Sequence, residues 1–131
     1  MFASFRDVAG LGYDENNQLS PTVKYAEFPV VDQAVCKKAL GHTMPLNTFC
    51  AGFQNGTSVC KGDSGGGLVF PVISGQQSRY VLKGIVSHGL ISANRVCDRE
   101  NYSVFTHVDA FSEWISSTIA TLNIRRKRFN Y

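Results

Sequence analysis

The chain has 131 residues, a hydrophobic content of 44% and a net charge of +3 at pH 7. This length fits one compact domain better than two, and the mild charge gives no indication of a nucleic-acid surface. No stretch approaches the roughly 20 apolar residues of a membrane span, so neither nucleic acid nor a membrane is an expected partner.

The first half of the chain predicts two strands and a short helix. The stretch "FRDVAGLG" and the alternating, aromatic-rich segment Thr22–Val31 are each typical of a β-strand. The segment "DQAVCKKAL" follows, with Asp32 as a plausible N-cap and Gly41 as a stop, and it predicts a helix between them.

The second half predicts four more strands and a terminal helix. The strand segments are "TFCAGF", "GLVFPVI", "YVLKGIVSHG" and "YSVFTHV". About six strands without βαβ alternation indicate an antiparallel barrel or sandwich. The segment Val108–Ile124 has an amphipathic helical pattern, whose apolar positions are Phe111, Trp114, Ile115, Ile119 and Leu122. Residues 125–131, which include four consecutive basic residues, are interpreted as a solvated basic tail.

The four cysteines are even in number and have no C-x-x-C spacing, which disfavours zinc and a thioredoxin-like redox pair. They indicate two structural disulfides and therefore an extracellular, secreted protein. The start "MFASFRDVAG" lacks the features of a signal peptide, so we expect that Met1 is not the natural beginning.

Several motifs appear in an order that is specific to one family. The segment "CKGDSGGGL" contains a serine between an aspartate and a run of glycines, and "VAGLG", "FCAGF", "GIVSHG" and "VFTHVDAFSEWI" accompany it. This set resembles the chymotrypsin-like (trypsin-fold) serine endopeptidases. The sequences of its segments are similar to those of arthropod modular or clip-related proteases. The match covers only the second of that family's two β-barrels. The resemblance implies an all-β, six-stranded antiparallel Greek-key barrel with a C-terminal helix, an incomplete peptidase domain over residues 1–124.

The family's disulfide plan implies the pairs Cys36 with Cys50 and Cys60 with Cys97, which use all four cysteines. A third bridge that is common in the family would join two strands at the places that Arg6 and Phe70 occupy here. Both partners of that bridge are missing together, so no thiol is left unpaired.

The resemblance also implies roles for the serine loop. Ser64 would be the nucleophile, and the backbone N–H groups of Gly62 and Ser64 would form the oxyanion hole. Asp63 would pair with an α-ammonium group that is freed when the zymogen is cut. Because a buried unpartnered carboxylate is costly, we expect Asp63 of this chain alone to turn to solvent and the oxyanion hole to collapse.

A serine hydroxyl needs a base, and the family's base histidine and orienting aspartate belong to the first barrel. We do not expect His42, His88 or His107 to replace that base. The chain alone is therefore expected to be inactive until the missing N-terminal barrel joins it. Its substrate would be a protein or peptide, and no cofactor or metal is expected.

The specificity pocket is also implied by the resemblance. Ser58 would form its floor, where trypsin-like members have an aspartate, and two walls would flank it: Ser87, His88 and Gly89 on one side, Tyr102 and Ser103 on the other. Ser103 stands where glycine usually leaves room. The pocket is therefore expected to favour uncharged residues over arginine or lysine.

Two N-x-S/T sequons occur. Asn55 lies in a predicted surface loop and is a glycosylation candidate, whereas Asn101 leads into the predicted pocket wall and is not expected to be modified.

Two alternatives stay open. The chain could belong to a non-catalytic protease homologue that regulates by binding a partner. It could also be a free-standing single-barrel interaction module, whose apolar face a partner would have to cover.

Overall fold

A computed structural model of the protein describes residues 6–41, 44–88 and 97–129, with side chains up to residue 123. Within these residues, six strands form one antiparallel sheet. Their bounds are β1 Asp7–Gly10, β2 Lys24–Glu27, β3 Thr48–Ala51, β4 Gly67–Ser74, β5 Gln77–His88 and β6 Ser103–His107.

The sheet closes on itself. Its strand order is β2-β1-β4-β5-β6-β3, and an isolated bridge between Val30 and Ala51 joins the chain after β2 to β3 at the opposite edge. Two hydrogen bonds flank this bridge: the Val31 N–H donates to the Cys50 carbonyl at 3.0 Å, and the Gly52 N–H donates to the Pro29 carbonyl at 2.9 Å. The cyclic order is that of a Greek-key barrel, so the predicted fold class is confirmed.

One predicted strand is shorter than its sequence pattern indicates. The segment Thr22–Val31 forms β2 over Lys24–Glu27 only, and then the single bridge at Val30. Pro29 lies between them, and proline has no N–H to donate to a strand ladder. The break lets the chain leave β1 and reach β3.

The helix α1 spans Gln33–Leu40 as the sequence predicts. The Asp32 carboxylate accepts a hydrogen bond from the Ala34 N–H at 2.8 Å, and Gly41 ends the helix with a φ of 82°. Cys36 on this helix is buried and is bonded to Cys50 on β3. The disulfide therefore fixes the helix to the barrel.

Aromatic rings fill the barrel core. Phe105 on β6 is fully buried, stacks on Phe49 of β3 at a centroid distance of 5.7 Å, and meets the edge of Phe28 at 5.8 Å. Leu68 of β4 and Val86 of β5 complete this layer. These two strands carry the segments next to the serine loop, so the core positions that loop.

The predicted terminal helix begins as a 3-10 turn, η1 Val108–Phe111, and continues as α2 Ser112–Phe129. It extends past Ile124, so most of the predicted basic tail belongs to the helix. The Lys83 ammonium donates to the Asp109 carboxylate at 2.8 Å and ties η1 to β5. That hydrogen bond, together with the charges of Lys83 and His107, lowers the pKa of Asp109.

The apolar stripe of the terminal helix is not covered. The Trp114 side chain is 66% exposed, and those of Ile119 and Leu122 are more than half exposed. Among the described residues, neither α1 nor α2 combines the length and apolar composition that a bilayer-spanning helix needs.

Both expected disulfides are present, Cys36–Cys50 and Cys60–Cys97. The residues at the place of the third bridge are neighbours as well. Asp7 pairs with Val69 in the sheet, which makes Arg6 and Phe70 the next antiparallel pair. The Arg6 guanidinium lies 4.9 Å from the centre of the Phe70 ring, a cation–π contact.

This neighbourhood predicts that the double substitution Arg6→Cys and Phe70→Cys forms a third disulfide. Because the bridge would close a long loop, we expect a gain of about 1–3 kcal/mol in the free energy of unfolding, below the entropic limit. Thiol titration of the folded protein and thermal unfolding with and without reductant check this. Two titratable thiols in the folded variant would contradict it.

Candidate active site

Ser64 lies on a loop that is fixed from two sides. Within the loop, the Asp63 N–H donates to the Cys60 carbonyl at 3.1 Å, and the Gly66 N–H donates to the Asp63 carbonyl at 3.0 Å. Against β5, Gly65 donates to the Val86 carbonyl at 2.9 Å, and the Val86 N–H donates to Gly66 at 2.8 Å. The side chain of Ser64 is exposed on this ordered loop, where an incoming carbonyl group can reach it.

The Asp63 carboxylate points into the molecule. One oxygen accepts a hydrogen bond from the Gly12 N–H at 2.7 Å, and the other accepts from the Cys60 N–H at 2.9 Å. The expectation that Asp63 turns to solvent is therefore wrong. Hydrogen bonds to a charged group stabilise by about 1.5–3 kcal/mol each, so two N–H donors offset much of the cost of half-burying the carboxylate. Collapse of the oxyanion hole stays a prediction.

Three glycines make this packing possible. A β-carbon on Gly10 or Gly12 would overlap the Asp63 carboxylate. Gly62 has a φ of 92°, and a β-carbon there would lie 3.2 Å from the Gly12 Cα. Among the described residues, the N–H groups of Gly62 and Ser64 donate to no other backbone carbonyl.

A cavity of about 290 Å³ opens beside Asp63. Its lining includes Asp63 and charged side chains of both signs: Asp14, Glu15, Lys24 and Arg99; Gly12 and Ser58 line it as well. The other described residues of the predicted specificity pocket do not line it. The cavity thus lies on the Asp63 side of the loop and meets the predicted pocket at Ser58.

The histidines do not meet Ser64 in the described part of the chain. The His88 Nδ1 lies 3.2 Å from the hydroxyl of its neighbour Ser87, and the His107 ring packs on Phe49 with a centroid distance of 4.8 Å. His42 falls outside the described residues. The hydrogen bonds of the described residues give the Ser64 hydroxyl no imidazole partner.

Two residues of the predicted specificity pocket are in contact. Ser103 is only 1% exposed, and its hydroxyl lies 3.3 Å from the hydroxyl of Ser58. It also accepts a hydrogen bond from the Val59 N–H at 3.3 Å. Ser87 and His88 end β5, Tyr102 directly precedes β6, and Gly89 lies outside the described residues.

The sequence motifs do not predict the partners of Asp63. Gly12 belongs to the family-like "VAGLG" stretch, and the Cys60 N–H is a backbone group that no motif singles out. The sequence signal for this contact is the pair Gly10 and Gly12, with one residue between them, because two glycines permit the close approach of another chain segment.

The serine loop, the inward-pointing Asp63 and the Greek-key barrel occur together in one known protein family. A trypsin family profile matches residues 6–115. The chain belongs to the trypsin family of serine proteases. Members of this family typically act on protein substrates.

Three relatives of the chain come from arthropods. It is 42% identical over 119 residues to Limulus clotting factor C of Carcinoscorpius rotundicauda, with 86% of the chain and 11% of that protein covered. It is 30% identical over 116 residues to serine protease grass of Drosophila melanogaster, with 87% and 30% covered. It is 36% identical over 105 residues to inactive CLIP domain-containing serine protease A8 of Anopheles gambiae, with 74% and 27% covered. The chain therefore spans less than a third of each of these relatives. Their arthropod origin confirms the predicted resemblance to arthropod proteases.

Proposed function

We propose that the chain is the C-terminal half of a secreted serine endopeptidase that hydrolyses peptide bonds through an acyl-enzyme on Ser64. The observation that carries this proposal is the exposed Ser64 beside a carboxylate that two backbone N–H groups hold inward. Membership of the trypsin family and two disulfides in a chain of this size support the activity and the extracellular location.

In this mechanism the Ser64 hydroxyl attacks the scissile carbonyl, and the N–H groups of Gly62 and Ser64 stabilise the oxyanion. Both N–H groups lack a backbone acceptor among the described residues, which supports this role. We propose that the proton acceptor for this serine comes from a first barrel, since His88 and His107 make no hydrogen bond with Ser64 among the described residues. Without that barrel we propose that the chain is inactive.

The cavity beside Asp63 is the proposed receptor for an α-ammonium group that activation cleavage releases. The carboxylate oxygens are already held by Gly12 and Cys60, so an ammonium group entering the cavity would complete a charge pair without moving the loop far. Charged groups that are out of water are costly unless they are paired, which gives the pairing its driving force.

We propose that the first barrel packs against the exposed apolar stripe of α2. Trp114, Ile119 and Leu122 are each more than half exposed, whereas the apolar stripe of a soluble helix normally faces a core. A covering barrel would bury these side chains, and such burial stabilises an interface by roughly 25 cal/mol per Å² of apolar surface before entropic costs.

We propose that the pocket favours small uncharged side chains, because no carboxylate lies at Ser58 and the Ser103 hydroxyl lies 3.3 Å from it. In the full-length protease, Ser103→Gly is expected to raise kcat/KM for phenylalanine substrates about tenfold relative to alanine substrates, since removing the side chain adds room worth about 1–3 kcal/mol.

Competition between matched peptides that differ only at the residue before the scissile bond measures this ratio. Thr106→Gly on the same strand is the control and is expected to leave the ratio unchanged. An unchanged ratio in Ser103→Gly would show that Ser103 does not limit the pocket.

A non-catalytic homologue is the second candidate function. The relation to a mosquito protein named inactive supports it, as does the contact of the buried Ser103 with Ser58, the predicted pocket floor. Such a homologue would bind a partner protein and would not cleave it.

Labelling with a fluorophosphonate separates the two functions. We expect the activated full-length protein to react at Ser64, the Ser64→Ala variant not to react, and the 131-residue chain alone to react at a negligible rate. An activated full-length protein that fails to react would favour the non-catalytic homologue. Rapid reaction of the chain alone would show that it contains its own base.

A further inference from the structure

We propose that Asn55 carries an N-linked glycan and that Asn101 does not. The proposal concerns a modification outside the catalytic machinery. It shares with the proposed function only the passage of the protein through the secretory pathway.

Asn55 has the surroundings that a bulky, solvated modification needs. Its side chain is exposed in the bend that leads from β3 to the serine loop. The next residue, Gly56, has a φ of 94°, and its N–H donates to the Arg99 carbonyl at 3.0 Å. The backbone of the turn is thereby fixed while the Asn55 side chain stays in solvent, which is where N-linked glycans are found.

Asn101 has the opposite surroundings. Its amide nitrogen donates to the Asp98 carboxylate at 2.8 Å, and the residue is half-buried. The hydroxyl of its sequon partner, Ser103, is 1% exposed and lies against Ser58 and the Val59 N–H. A glycan on Asn101 would crowd the hydrogen bond to Asp98 and would have to emerge beside the buried start of β6.

The covalent step is a group transfer. The Nδ2 atom of Asn55 loses a proton and bonds to the anomeric carbon of an N-acetylglucosamine-containing oligosaccharide. The bond between that carbon and a polyprenyl diphosphate breaks, and the diphosphate leaves with the electron pair. The lipid-linked oligosaccharide and the transferase belong to the secretory pathway.

The test uses the protein in its full natural length, secreted by mammalian cells. Peptide N-glycosidase F is expected to convert Asn55 to aspartate, with uptake of heavy oxygen when the digestion is done in H₂¹⁸O. Mass spectrometry of the peptides should find this mark on more than half of the Asn55 peptides and on none of the Asn101 peptides.

Four variants sharpen the test. Asn55→Gln and Thr57→Ala are expected to remove the glycosidase-sensitive shift in electrophoretic mobility, whereas Thr57→Ser, which keeps the sequon, and Asn101→Gln should retain it. The mark on Asn101, or a secreted protein without the mark on Asn55, would overturn the proposal. Measuring occupancy needs no assay of the protein's own peptidase activity, so this proposal and the proposed protease activity fail separately.

Discussion

Gly12→Ala is expected to lower kcat/KM of the full-length protease by about a hundredfold to a thousandfold, the effect of losing one oxyanion-hole donor. A β-carbon at this position overlaps the Asp63 carboxylate, which accepts the Gly12 N–H at 2.7 Å. If the carboxylate moves, the Cys60 N–H also loses its acceptor. An unsatisfied buried group costs about 1–3 kcal/mol, so the loop carrying Gly62 and Ser64 should shift.

Leu11→Ala is the matched control for Gly12→Ala. Leu11 lies next to Gly12 and its side chain is 49% exposed, so we expect its truncation to change kcat/KM by less than about twofold. Steady-state kinetics and the rate of fluorophosphonate labelling measure both variants, with thermal unfolding to verify that each is folded. A folded Gly12→Ala enzyme with normal kcat would mean that the Asp63 contact does not support the oxyanion hole.

Phe105→Ala is expected to lower the free energy of unfolding by about 3–5 kcal/mol, the range for removing a buried phenylalanine. Phe105 is fully buried between Phe49 and Phe28, and both neighbours lose an aromatic contact with it. Such pairs are worth about 0.5–1.5 kcal/mol beyond the buried area. Because β6 also provides Ser103, the variant should lose pocket geometry along with stability.

Denaturant or thermal unfolding of the full-length protein measures this loss, with Tyr25→Ala as the control. Tyr25 on β2 is 80% exposed, so its truncation should change stability by less than about 0.5 kcal/mol. Equal losses for the two variants would mean that the rings around Phe105 do not form the core of the barrel.

Local pattern alone was sufficient for most elements of this fold. Asp32 and Gly41 bound α1 correctly because an N-cap carboxylate and a glycine with positive φ act on their immediate neighbours. The pairing of Cys36 with Cys50 and of Cys60 with Cys97 came from the family resemblance, and the structure confirms both bridges. The predicted strand Thr22–Val31 was longer than the observed β2, because Pro29 interrupts a segment whose alternating pattern continues past it.

The candidate site divides in the same way. The roles of Ser64, Gly62 and Asp63 were implied by the family resemblance of a motif of five consecutive residues, Gly62–Gly66, and they stay predictions. Only the tertiary structure decided that Asp63 turns inward, because its partner Gly12 is 51 residues away and is brought to it by the pairing of β1 with β4. A carboxylate turns toward the N–H donors that lie within hydrogen-bonding distance. At this site the register between β1 and β4 places the Gly12 donor there, and that register exists only in the folded barrel.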